Sequence, residues 1–63
     1  MSEKFWKHRF VEALYHIIRG KTGLGIHRCF DMAAPLADDW WKNKASYATP
    51  EAAAESAFQC LCE

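Results

Sequence analysis

Large apolar side chains recur at intervals of three and four residues through the first third of this sequence. The members of this stripe are Trp6, Phe10, Ala13, Leu14 and Ile17. Such spacing places them on one face of an α-helix, and Val11 and Ile18 make that face wider than the roughly 100° sector that one neighbour covers. We therefore predict a helix over about residues 3–19 that packs against more than one neighbour. Ser2 is its expected N-cap and Gly20 its expected end.

A second helix is predicted at the C-terminal end of the sequence. Thr49 supplies a hydroxyl N-cap, Pro50 occupies the first helical position, and Glu51 lies near the positive end of the helix dipole. We expect this helix over about residues 50–61. Its apolar face consists of Ala53, Ala54, Ala57, Phe58 and Leu61. The small alanines on that face would allow another helix to approach closely.

The middle of the chain is predicted as a glycine-rich loop followed by helical segments that divide near Pro35. Three glycines in six positions indicate a loop over residues 20–25. The next segment has an apolar face made of Ile26, Cys29, Phe30 and Ala33, and the one after Pro35 has Leu36, Ala37, Trp40 and Trp41. The predicted fold class is all-α, a small bundle of three to four short helices in a single domain over residues 1–63. Because a core of this size is close to break-even in free energy, dimerisation could complete it.

The cysteines and the N-terminal residues indicate the cellular compartment in which the protein is expected. Three cysteines, Cys29, Cys60 and Cys62, are an odd number that forms no closed disulfide framework. The first ten residues interleave charges with aromatics, unlike a signal peptide, and no stretch has the roughly 18 apolar residues of a membrane span. We expect a cytoplasmic protein with reduced thiols and no membrane partner.

Charge is balanced over the whole chain, with eight basic and eight acidic residues, but it is unevenly distributed. The first half carries the basic residues Lys4, Lys7, Arg9, Arg19, Lys21 and Arg28. The second half is acidic, so the two halves could complement each other in the fold. Alternatively, the basic first helix and the residues after it could bind nucleic acid, which would make the chain a small DNA-binding regulator. We favour the first interpretation, because nucleic-acid-binding domains are usually strongly basic overall.

Four sequence patterns resemble functional motifs and fail their requirements. Gly20-Lys-Thr resembles the end of a P-loop, but Tyr15 stands where that motif needs glycine, and Arg28 replaces the third glycine of a dinucleotide fingerprint. Cys60 and Cys62 lie about 200° apart on a helix, so together with His27 and Cys29 they are poorly spaced for zinc. Cys29 next to His27, His8 with His16, and the Asp38-Asp39 pair lack an orienting third group. We expect no enzyme, cofactor or bound metal.

The adjacent residues Trp40 and Trp41 predict an apolar surface that binds another protein. Neighbouring helical positions splay by about 100°, so both indoles are not expected to face one core, and tryptophan is enriched at binding hot spots. Together with the wide stripe of the first helix, they predict a homodimer or a protein-partner interface. Its expected residues are Trp6, Phe10, Leu14, Trp40 and Trp41. The competing possibility is a monomer in which residues 20–48 fold over the stripe.

The chain as a whole resembles the very small early-region proteins of lambdoid bacteriophages. The resemblance runs through the segments MSEKFWKHRFVEALYHIIRGKTGLG, DDWW and ATPEAAAESAFQCLCE. It implies a non-enzymatic regulatory effector made early in infection, which acts in the bacterial cytoplasm. Such an effector binds a host or phage protein and influences the choice between lysis and lysogeny. The resemblance defines no catalytic residue.

Overall fold

The computed structural model describes residues 2–62, and these form a small all-α fold, as predicted. The elements in chain order are α1 at Glu3–Thr22, α2 at Ile26–Ala33, α3 at Leu36–Lys42, a 3-10 turn at Lys44–Ser46 and α4 at Pro50–Cys62. No β-strand occurs between residues 2 and 62. The expected division near Pro35 is confirmed, because α2 ends just before this proline and α3 begins just after it.

Both predicted N-caps are confirmed by their hydrogen bonds. The Ser2 hydroxyl accepts a hydrogen bond from the Phe5 N–H at 3.2 Å at the start of α1. At the start of α4, the Thr49 hydroxyl accepts one from the Ala52 N–H at 3.1 Å. Each cap satisfies a backbone donor that the first helical turn leaves without an internal partner.

The end of α1 differs from the prediction. The helix continues through Gly20 to Thr22, and Gly23 is the residue that adopts the left-handed conformation, with φ of 74°. The Gly23 N–H then donates to the Arg19 carbonyl at 2.9 Å. Gly20 is therefore an internal helical glycine, which a helix tolerates at a cost of about 1 kcal/mol. The predicted loop over residues 20–25 shrinks to the three residues that join α1 to α2.

Helix α1 is the central element, and the other three helices all contact it. Its buried residues, spaced four apart, are Trp6, Phe10, Leu14 and Ile18. Helix α4 runs parallel to α1, with Glu51 beside Arg9 near its start and Phe58 beside Ile17 further along. Helices α2 and α3 return along another side of α1. The wide apolar sector of α1 is thus covered by the chain's own helices.

Small side chains face α1 from its neighbours. The buried residues of these helices are Cys29 and Ala33 in α2, Ala37 in α3, and Pro50, Ala53, Ala54 and Ala57 in α4. Each is at most 4% exposed. Alanine at these positions keeps the helix axes close, so the large side chains of α1 fill most of the core. Among the described residues, no helix combines the length and apolar composition needed to cross a bilayer.

Candidate interaction surfaces

Three residues predicted to form a shared surface lie inside the single chain instead. Trp6 is 5% exposed, and Phe10 and Leu14 are 0% exposed. For these residues the expectation of an exposed apolar surface is wrong, because α3 and α4 cover the α1 stripe within one chain. The competing possibility assigned this cover to residues 20–48. In the structure α2 and α3 supply part of it, and α4, which lies outside that range, also contacts α1.

Trp40 and Trp41 both pack against α1, although they are neighbours in sequence. The Trp41 ring lies 5.5 Å from that of Trp6, with the planes inclined by 64°. The Trp40 ring stacks on Phe10 at 6.2 Å. Trp6 and Phe10 are one helical turn apart, so two indoles that diverge on α3 reach two successive positions of α1. The expectation that they could not face one core is wrong, and both are half-buried.

The large apolar side chains that remain exposed are elsewhere in the fold. They are Phe5 at 53%, Ile26 at 38%, Phe30 at 41%, Met32 at 38% and Leu61 at 45%. Three of the five belong to α2. The helical spacing predicts Ile26 and Phe30 on the inner face of α2 together with Cys29 and Ala33, but only Cys29 and Ala33 are buried. Helical angles alone do not reveal this, because Ile26 and Ala33 lie at the centre of the four-residue face and Cys29 and Phe30 lie at its two edges.

Tyr15, Ile26 and Phe30 form a surface at the junction of α1 and α2 that we call the aromatic patch. The rings of Tyr15 and Phe30 stack with their centroids 4.6 Å apart. On its other side Tyr15 stacks on its neighbour His16 at 4.3 Å. Ile26 lies one turn before Phe30 on α2, which places the two side chains next to each other. The patch therefore presents apolar area from two helices to solvent.

A second surface, which we call the α1–α4 groove, lies between the first and last helices. Its volume is about 360 Å³, and it is lined by Ile17, Lys21, Glu55, Phe58 and Gln59. Ile17 and Phe58 are half-buried and supply apolar surface, whereas the other three lining residues are exposed. The groove thus combines an apolar floor with one positive and one negative side chain.

The aromatic patch and the α1–α4 groove lie on different sides of α1. Tyr15 and Ile17 are two residues apart, so their side chains point roughly 160° away from each other around the helix axis.

A smaller cavity of about 220 Å³ lies near the start of α4 and is lined by Arg9, Glu12, Ala13 and Glu51. Arg9 and Glu51 are paired with each other by hydrogen bonds, so fewer polar groups of this cavity are available to a ligand.

Ion pairs connect the basic and acidic halves of the chain. Arg9 donates two hydrogen bonds to Glu51, from Nε to Oε2 at 3.0 Å and from Nη2 to Oε1 at 2.6 Å. The Lys7 ammonium donates to the carboxylates of Asp38 and Glu3. These hydrogen bonds, that to Asp38 first, raise the pKa of Lys7, and the bond from Lys7 lowers the pKa of Asp38. Both Lys7–Asp38 and Arg9–Glu51 support the interpretation that the two halves complement each other.

Of the six basic residues considered for nucleic-acid binding, two are engaged in ion pairs within the fold and four are exposed. Lys7 and Arg9 are engaged within the fold, as just described. Lys4 is exposed in the first turn of α1, and Arg19, Lys21 and Arg28 are exposed toward the opposite end of that helix. The six do not form one continuous basic face.

The metal-ligating and nucleophilic side chains are dispersed. The part of the chain that the structure describes holds no group of three or more histidine, cysteine or acidic side chains arranged to bind a metal ion. Cys29 is buried, and its thiol donates to the Leu24 carbonyl at 3.7 Å. Cys60 is exposed, and the side chain of Cys62 lies outside the described residues. His8 contacts Glu12 at 3.3 Å, one turn along α1.

Comparison of the chain with protein-family models, curated proteins and solved structures gave no match.

Proposed function

We propose that this chain is a non-enzymatic interaction protein that binds a host or phage protein through the α1–α4 groove. The observation that carries the proposal is the combination of exposed apolar surface and free charges in that groove. The resemblance to early phage proteins adds the cellular consequence, an influence on the choice between lysis and lysogeny. The activity requires surface complementarity and no chemical step.

The floor of the groove supplies the apolar contact that a protein partner needs. Ile17 and Phe58 are only half-buried, and Leu61, three residues beyond Phe58 on the same side of α4, is 45% exposed. Burial of such surface contributes about 25 cal/mol per Å² of apolar area. An apolar side chain inserted from a partner would cover the parts of these residues that now contact water.

The charged residues at the rim of the groove would orient a bound partner. Within residues 2–62, Lys21 and Glu55 form no ion pair with another side chain. Both charges are therefore available to a partner that places an acidic group near Lys21 and a basic group near Glu55. Polar groups around an apolar centre are the usual anatomy of a protein interface. The partner we infer carries an apolar side chain between two charges of opposite sign.

The test is affinity capture from bacterial lysate treated with nuclease, using the wild type and charge-reversal variants. Lys21→Glu and Glu55→Lys change exposed groove residues, and Lys4→Glu is the matched control at the opposite end of α1. We expect the wild type and Lys4→Glu to retain the same protein, and the two groove variants to lose it. Circular dichroism of each variant verifies that the helices are intact.

Two outcomes would contradict the proposal. Equal capture by all four proteins would show that the partner binds outside the groove. Capture that disappears with nuclease treatment, and that weakens in Lys4→Glu as much as in Lys21→Glu, would instead favour the DNA-binding alternative.

A further inference from the structure

The aromatic patch is flanked by charges of opposite sign at its two ends. On α1, Arg19 lies four residues beyond Tyr15 and Glu12 lies three residues before it, which corresponds to about 6 Å and about 4.5 Å along the helix. On α2, which runs back along α1, His27 lies toward the Arg19 end and Asp31 toward the Glu12 end. The patch thus has two cationic or hydrogen-bond-donating groups at one end and two carboxylates at the other.

This pattern is self-complementary, and we propose that the aromatic patch is the interface of a two-fold symmetric homodimer of this chain. In that dimer, α1 and α2 of one copy lie antiparallel to α1 and α2 of the second copy. Arg19 then faces Glu12 of the second copy, and His27 faces Asp31 of the second copy. Each pair occurs twice, as an isologous interface requires.

One symmetry axis satisfies both pairs. The midpoint between residues 12 and 19 lies half a residue beyond Tyr15, and the midpoint between 27 and 31 lies one residue before Phe30. The ring centroids of Tyr15 and Phe30 lie 4.6 Å apart, so the heights of the two rings along the helices differ by at most that distance. The two midpoints therefore lie within about one helical turn, roughly 5.4 Å, of each other along the helices. A single two-fold axis through the patch aligns both charge pairs and places the two aromatic stacks against each other.

The charged groups at the ends of the patch are available for these contacts. Within the described part of the chain, Arg19, His27 and Asp31 make no ion pair. Glu12 contacts His8 through one carboxylate oxygen, Oε2, at 3.3 Å, which leaves its other oxygen free to accept from Arg19. A neutral or a charged imidazole at His27 has an N–H to donate to Asp31.

The dimer goes beyond the proposed function and does not depend on it. Since the patch and the α1–α4 groove lie on different sides of α1, both grooves stay open in the dimer. A partner with two binding sites, or two partner molecules, would then engage one dimer with increased avidity.

Sedimentation equilibrium with charge-reversal variants tests this proposal. Between about 5 and 500 µM the wild type is expected to approach twice the 7.2 kDa of one chain as concentration rises. Glu12→Lys alone and Arg19→Glu alone place like charges opposite each other in the dimer, so each should weaken association at least tenfold. An equimolar mixture of the two variants restores opposite charges in both pairs, and it should dimerise like the wild type.

A control on the other face separates this proposal from the groove. Glu55→Lys changes the groove and should leave dimerisation unchanged, whereas Phe30→Ser in the patch should abolish it. A wild type that stays at 7.2 kDa at every concentration would overturn the proposal. So would a mixture of Glu12→Lys and Arg19→Glu that remains monomeric, or dimerisation that is lost in Glu55→Lys and retained in Phe30→Ser.

Discussion

The indole of Trp41 meets the indole of Trp6 edge-on, with the ring centroids 5.5 Å apart. This contact attaches α3, a helix of only seven residues, to the first turns of α1. The outer face of Trp41 is covered by Lys44, whose ammonium lies 4.0 Å from the ring centroid. Trp41 is therefore a packing residue between two helices and is half-buried in the single chain.

Trp41→Ala is expected to lower the free energy of unfolding by about 2 kcal/mol, less than the loss for a fully buried tryptophan. The reason is the loss of the edge-on contact with Trp6 and of the area that the indole covers. Equilibrium urea unfolding measures the change. Phe5→Ala, which removes an exposed aromatic ring from helix α1 next to Trp6, is the control and should change stability by less than about 0.5 kcal/mol. Equal stability of wild type and Trp41→Ala would show that the contact between Trp41 and Trp6 does not stabilise the packing of α3 on α1.

Gly20→Ala and Gly23→Ala should change stability in opposite directions. Gly20 is helical and a Cβ there meets no atom within 4 Å, so alanine should stabilise α1 by about 0.5–1 kcal/mol. Gly23 also has open space, but its φ of 74° is strained for any residue with a Cβ, and alanine should cost about 1 kcal/mol. Thermal unfolding of the two variants checks this. A stabilising Gly23→Ala would mean that α1 does not end at Gly23.

The Lys7–Asp38 ion pair predicts a stability difference that disappears at both extremes of pH. Because the pKa of Asp38 is lowered below 3.8, its contribution is present above that value and is lost as pH falls through the lowered pKa. Because the pKa of Lys7 is raised above 10.5, its contribution is present below that value and is lost as pH rises through the raised pKa. Asp38→Asn should therefore unfold at a lower temperature than wild type between about pH 5 and pH 9, with little difference at pH 2.

The size of this difference is small, because Asp38 is exposed to solvent. Asp39→Asn is the matched control, since Asp39 lies in the same first turn of α3 and makes no ion pair within residues 2–62. Thermal unfolding of wild type and both variants over a series of buffers makes the measurement. The same pH profile for Asp38→Asn and Asp39→Asn would contradict a specific Lys7–Asp38 interaction.

Ala54→Leu tests the close approach of α4 to α1. Ala54 is 0% exposed, so the larger side chain must displace its neighbours, at an expected cost of about 1–3 kcal/mol. Gln59→Leu introduces the same side chain at an exposed position of α4 and should change stability by less than about 0.5 kcal/mol. Urea unfolding compares the two, and a neutral Ala54→Leu would mean that α4 packs less tightly on α1 than the structure shows.

The helices themselves were predictable because their signals are local. Ser2, Thr49 and Pro35 act on backbone groups within a few residues, and the spacing of Trp6, Phe10 and Leu14 defines one face of α1 whatever surrounds it. The end of α1 was misplaced because three glycines compete over six positions. Only the backbone conformation shows that Gly23, and not Gly20, is left-handed.

The surfaces could not be predicted because they depend on how the helices are arranged in space. The sequence indicated that the α1 stripe is wide, but it does not say that α3 and α4 cover it within one chain. The same holds for Trp40 and Trp41, which reach successive positions of α1 only because α3 lies beside it. The stacking of Tyr15 on Phe30 and the groove between Ile17 and Phe58 join residues more than ten positions apart, and no local pattern specifies them.

The most direct test of the proposed function is nuclear magnetic resonance of the isotopically labelled chain, titrated with the protein that the wild type captures. We expect the amide signals of Ile17, Lys21, Glu55 and Phe58 to change most as the partner is added, because these residues line the groove that it fills. Changes concentrated instead at Trp40 and Trp41, or at Tyr15 and Phe30, with the groove signals unmoved, would contradict it.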